Sequence, residues 1–125
     1  MADVKHTPGP WTYFVGNANG RGLIRVEVCG TASENCGHHI ASFTRGHENE
    51  ANARLIAAAP DLLAACKLHA AWAKSEKDGP KYPEGVTRDK GGDAIWRAWW
   101  EANLDLCARA EEATRAAIAK ATGEA

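Results

Sequence analysis

The stretch Asn52-Ala53-Arg54-Leu55-Ile56-Ala57-Ala58-Ala59-Pro60-Asp61-Leu62-Leu63 divides the chain into two kinds of pattern. From Glu48 onward the spacing is helical: Ala51, Leu55 and Ala58, then Leu62, Cys66 and His69, recur three or four residues apart. Pro60 lacks an amide hydrogen, and its ring clashes with the carbonyl four residues earlier in a continuous helix. Proline is favoured at the first position of a helix, so Ala59-Pro60-Asp61 is expected to end one short helix and open another. The second helix extends to about Lys74, with Trp72 as an anchor.

Toward the N-terminus the period falls to two. Trp11-Thr12-Tyr13-Phe14-Val15 is aromatic and β-branched, and Gly16-Asn17-Ala18-Asn19-Gly20 is a turn signal. In Leu23–Val28, Ile24, Val26 and Val28 share one face, with Arg25 and Glu27 on the other. After a loop from Gly30 to Gly37, His38–Thr44 offers a third strand with Ile40 as a core residue. The arm His6-Thr7-Pro8-Gly9-Pro10 continues neither a helix nor a central strand; it reads first as a lock on the sheet edge and alternatively, with Trp11, as a rigid recognition edge.

Toward the C-terminus, Ser75–Gly92 is polar, with two prolines and four glycines, and it is long for an unstructured connection. Asp93 is expected to cap a long helix. Its buried stripe is Trp96, Trp99, Asn103, Leu106, Cys107, Ala110, Thr114, Ala117 and Ile118. Arg97/Glu101, Asp105/Arg109 and Glu111/Arg115 are opposite charges four apart. The expected architecture is α+β: a three-stranded antiparallel meander, a Pro-broken helix pair, and a long C-terminal helix packed on one sheet face. It forms one domain over residues 1–125, with the meander and arm in 1–47, helices in 48–74, the connection in 75–92 and the last helix in 93–122.

Composition narrows the class. Of 125 residues, 25 are Ala, while Leu, Ile, Val and Phe together number 19, so large aliphatic core is scarce and the five Trp must supply much of it. The 15 basic and 16 acidic side chains nearly cancel, which argues against bulk electrostatic binding to nucleic acid. No apolar run approaches the roughly 20 residues of a membrane span, and Met1–Trp11 has no apolar signal region. A cytoplasmic protein with reduced thiols is expected, so the four cysteines do not imply disulfides.

Three stretches together resemble a large family of short proteins encoded by bacteriophages and prophages: His6–Trp11 (HTPGPW), Asn52–Leu63 (NARLIAAAPDLL) and Ala116–Gly123 (AAIAKATG). The resemblance covers roughly a quarter of the chain. It implies a phage accessory origin and a bacterial cytoplasm as the working compartment. It carries no activity and transfers no functional residue.

The residues themselves offer three constellations. Cys36, His38 and His39, with Cys29 nearby and Cys66-x-x-His69 on a helix, are ligand types that suit zinc. Against a metal centre, Cys29 and Cys36 lack zinc-knuckle spacing and no C-x-x-C pair exists; the simpler reading makes Cys66 and Cys107 small core residues. Cys36 with His38 or His39 also suggests a nucleophile and base, but no orienting group or oxyanion site accompanies them. No cofactor and no enzymatic activity are expected. The third constellation is Trp96, Arg97, Trp99 and Trp100 on one side of the last helix, the residue types that dominate binding hot spots.

The leading expectation is therefore a non-enzymatic, phage-derived protein that engages a host protein through Trp96, Arg97, Trp99 and Trp100, inhibiting a defence or metabolic function. Self-association through the C-terminal helix, giving a homodimer, is a further expectation. One alternative is a protein that sequesters a small ligand, a nucleotide or a metal at Cys36, His38 and His39. A second is weak nucleic-acid binding through Arg21, Arg25, Arg45 and His47, with strong salt dependence as its signature.

Overall fold

The computed structural model of the chain describes residues 9–16, 23–28, 38–44 and 46–124. In order these form strands β1 (Trp11–Gly16), β2 (Leu23–Val28) and β3 (His38–Thr44), then helices α1 (His47–Ala57), α2 (Ala59–Asp78) and α3 (Asp93–Thr122). The helices take 11, 20 and 30 residues against strands of 6, 6 and 7. The protein is thus mainly helical, which corrects the α+β class expected from the sequence. Within the first unit, α1 lies against all three strands, the packing that the sequence reading gave to the long C-terminal helix. Length decides the class. A 30-residue helix is about 45 Å long, whereas strands of six or seven residues reach only about 20 Å. Three strands this short leave the helices as the larger part of the described chain.

The chain forms two compact units, Met1–Leu63 with Arg115–Ala125, and Ala64–Thr114. In the first, the strands pair antiparallel in the order β1-β2-β3. Val26 faces Ala41 while Glu27 faces His39, so Ile40 is an extra residue, a β-bulge. Neighbours on a regular strand point to opposite faces. Here the bulge lets Ile40 and Ala41 both pack against the core of Ile24, Ala53 and Ala57, with Trp11, Tyr13 and Ile56.

That core corrects the phase read for α1. Ala53 and Ala57 are buried and Ile56 packs with them, while Leu55 is 54% exposed. Leu55 lies two residues from both alanines, about 200° around the helix. Ala seats the helix close to the sheet, and a run with alanines at 51, 53, 57 and 58 supports either phase on periodicity alone. Arg54, at the border of this core, donates from Nε to Tyr13 Oη at 3.2 Å and from Nη1 to the Thr122 carbonyl at 3.4 Å. Its Nη2 lies 3.5 Å from Glu50. The Tyr13 hydrogen bond raises the Arg54 pKa above the ordinary guanidinium value, against the lowering effect of burial. Helices α1 and α2 are separated at Ala58. Pro60 has no N–H for the Ile56 carbonyl, which removes one rung of the ladder there. The arm also meets this point: a Cβ built on Gly9 would stand 2.9 Å from Pro60 Cβ.

In the second unit α2 continues to Asp78, four residues beyond the expected end, because a polar Ser75–Asp78 run is compatible with helix. Glu76 Oε1 accepts from Trp72 Nε1 at 3.2 Å and from the buried Asn103 Nδ2 at 2.7 Å. Gly79 then ends the helix with φ 64°, its N–H returning to the Ser75 carbonyl at 2.9 Å. The connection 79–92 is built of turns: Val86 N–H bonds the Pro83 carbonyl, and Lys90 and Gly92 N–H both bond the Thr87 carbonyl. Trp96 N–H bonds the Gly92 carbonyl, so Gly92 occupies the cap position and Asp93 is the first helical residue rather than the cap.

Candidate functional site

Four side chains gather at the N-terminal end of α3. Residues 96 and 100 are one turn apart, and their indole rings stack with centroids 5.5 Å apart and 9° between planes. Trp99 leans on both, 6.5 Å from Trp96 at 54° and 6.1 Å from Trp100 at 47°. Trp100 is 40% exposed. Trp99 is half-buried, and its Nε1 has no hydrogen-bond partner among the described residues. The expectation that Trp96 and Trp99 head the buried stripe of α3 holds only in part, since both are half-buried; Asn103, Ala110 and Ala117 are buried but Ile118 is exposed.

The cluster carries charge on two sides. Arg97 is well exposed and donates to Asp93 Oδ2 at 2.8 Å, rather than pairing with Glu101 as its sequence spacing also allowed. Asp93 Oδ1 accepts from Arg88 Nε at 3.3 Å. Arg88 in turn sits with Cζ 3.5 Å above the Trp96 ring centroid, a cation–π contact. One carboxylate, favourably placed in the first turn of the helix, thus orients both guanidinium groups beside the tryptophans. Arg88 escaped the sequence reading because it comes from the aperiodic connection; a basic residue shortly before an aromatic helix start was its only signal. The arrangement sets a partly exposed indole, Trp100, in a cluster that two guanidinium groups border.

Part of the Cys/His constellation falls outside the described residues. Cys29 and Cys36 lie outside them, and His38 and His39 stand at the start of β3. No group of three or more His, Cys, Asp or Glu suited to a metal occurs among the described residues. Cys66 is exposed, which corrects its reading as a core residue, and Cys107 is half-buried. Desolvation raises the Cys107 thiol pKa above its ordinary value, with Glu111 and Glu76 adding to it. His69 Nε2 lies 2.7 Å from Thr114 Oγ1. Thr114 spends its one hydroxyl proton on the Ala110 carbonyl at 2.7 Å, so His69 Nε2 is the donor to that oxygen. That nitrogen is therefore not available to a metal.

The described residues of the three stretches that carry the phage resemblance come together in the first unit. Gly9 packs on Pro60, Arg54 reaches Thr122, and Lys120 Nζ donates to Asp61 Oδ2 at 2.7 Å. Among the described residues no single helix is long and apolar enough to cross a membrane.

No match was found among curated proteins or among solved structures. A family model described as Salmonella phage P22 protein Y8K6 matches residues 1–125, and the chain belongs to that phage protein family.

Proposed function

We propose that this phage-family protein is a non-enzymatic binding protein that works in the host cytoplasm and engages a host protein through Trp96, Arg97, Trp99 and Trp100, with Arg88 as a fifth contact. The observation that supports it is the parallel Trp96–Trp100 stack, left 40% open at Trp100 and edged by two arginines. Tryptophan and arginine are the side chains most enriched at binding hot spots. Stacking holds Trp100 in place before any partner arrives, so little rotamer freedom is lost on binding. Inhibition of a host defence or metabolic function is the consequence we assign to such binding, in keeping with the phage family. No metal or cofactor enters this reading.

The test is paired affinity capture from host lysate with the wild-type chain, Trp100→Ala and Arg97→Glu, each first shown to unfold at a temperature near that of the wild type. A host protein held by the wild type and lost from both variants supports the reading. Equal capture by all three chains, or none by any, contradicts it.

A further inference from the structure

The first unit contains a cleft of about 200 Å³ lined by Thr12, Tyr13, Arg54, Ala57 and Lys120. It draws on β1, α1 and the end of α3, and it shares no residue with the tryptophan cluster. Thr12 and Tyr13 bring hydroxyls that can donate and accept. Arg54 and Lys120 are donors only. Tyr13 Oη already accepts from Arg54 Nε, so the phenol proton is the part of that group turned to other partners. A hydroxyl that accepts from a cation is polarised and becomes a better donor. Lys120 Nζ carries three protons and gives one to Asp61 at 2.7 Å. The two carboxylates that meet these cations, Glu50 on Arg54 and Asp61 on Lys120, are not part of the lining. They hold the guanidinium and ammonium in place at the wall. The lining is mostly apolar, and the Ala57 methyl, the Tyr13 ring and the aliphatic stems of Arg54 and Lys120 can supply that surface to an apolar body.

We infer that this cleft is a binding site for a small oxyanion with a compact body, received by the Tyr13 hydroxyl and Lys120 Nζ with Arg54 as the fixed cation. The volume equals about seven water molecules at their liquid volume, below the usual range for drug-sized ligands. A carboxylate on a small ring, or a phosphate group, matches both the space and the donors.

The test titrates the full-length, isotope-labelled protein with benzoate and, separately, with inorganic phosphate, each against chloride at equal ionic strength, and follows amide shifts by NMR. For at least one of the two probes, saturable shifts are expected at residues 12–13, 54–57 and 118–122, with a Kd of about 1 mM or tighter. Tyr13→Phe and Lys120→Gln should each weaken binding about tenfold or more while the rest of the spectrum stays in place. Saturation by benzoate alone identifies a carboxylate with an apolar body as the ligand class; saturation by phosphate alone identifies the phosphate group. Non-saturable shifts with both probes, or saturation that survives both substitutions, overturns the inference. Because neither variant touches Trp96, Trp99 or Trp100, host-protein capture by the two variants should be unaffected.

Discussion

The Trp96 and Trp100 rings lie parallel on successive turns of α3, 5.5 Å apart, with Arg88 Cζ over the Trp96 ring at 3.5 Å from its centroid. Trp96 thus meets both a cation and an indole and is half-buried, whereas Trp100 is 40% exposed. This asymmetry separates a supporting tryptophan from a contacting one, and the roles of the three residues follow from it.

Trp100→Ala should cost only the stacking contribution, about 0.5–1.5 kcal/mol. Trp99→Ala should cost more, about 2 kcal/mol or above, because Trp99 lies half-buried against both neighbours. Trp99→Phe should stay within about 1 kcal/mol of the wild type: it removes a buried N–H that has no partner among the described residues, which offsets the lost ring area. Denaturant unfolding of the three variants checks this order, and Trp100→Ala as the most damaging change would refute it.

Glu76 and Asn103 form a pair that should be coupled. Asn103 is 3% exposed and its Nδ2 donates to Glu76 Oε1 at 2.7 Å. Glu76→Ala strands that buried amide and should destabilise by about 1–3 kcal/mol. In a double-mutant cycle, Glu76→Ala with Asn103→Ala should cost less than the sum of the single changes. Additive losses would show that the bond contributes nothing of its own.

Gly92 closes the connection 79–92 against its own turn. A Cβ at this position would stand 2.6 Å from the Thr87 carbonyl oxygen and 2.7 Å from Tyr82 Cε1. Backbone cannot swing aside as a side chain can, so Gly92→Ala should destabilise by about 1–3 kcal/mol. Gly46→Ala, where the added methyl meets open space, serves as the control. Thermal unfolding of both variants decides the matter, with equal midpoints counting against the packing described.

Cys107 should be a slow thiol. Desolvation, with Glu111 and Glu76, favours its neutral form, so at any pH below its raised pKa it holds less thiolate than a free cysteine. The folded state binds this proton more tightly than the unfolded chain does. The associated stability is complete below the unfolded thiol pKa and is lost as pH rises through the folded value. Alkylation of Cys107, followed by peptide mass spectrometry, should accelerate at higher pH than that of a free thiol such as glutathione. A rate profile matching glutathione would contradict the assignment.

How much was legible in the sequence varies with the kind of signal. Gly92-Asp93 and Gly123 bracket α3 closely because capping and termination act over one or two residues. The closeness of Trp96, Trp99 and Trp100 follows from helical spacing alone. The face of α1 was misphased because alanines fit either phase, and only contact with Ile24 decides between them. Arg88 and the Thr87 turns belong to a segment without period, so nothing local placed the guanidinium over Trp96. The fold class failed for a different reason. Strand patterns show where short strands can form, but the class is set by the balance of lengths, and a 30-residue α3 outweighs strands of six or seven.

The most direct test of the central claim is site-specific photocrosslinking in host cells, with a photoreactive phenylalanine analogue in place of Trp100 and, as control, of Leu55, which is exposed in the first unit. The account predicts one discrete host-protein adduct from position 100, absent from position 55 and abolished by adding Arg97→Glu. An empty lane at position 100, or the same adduct from both positions, would contradict it.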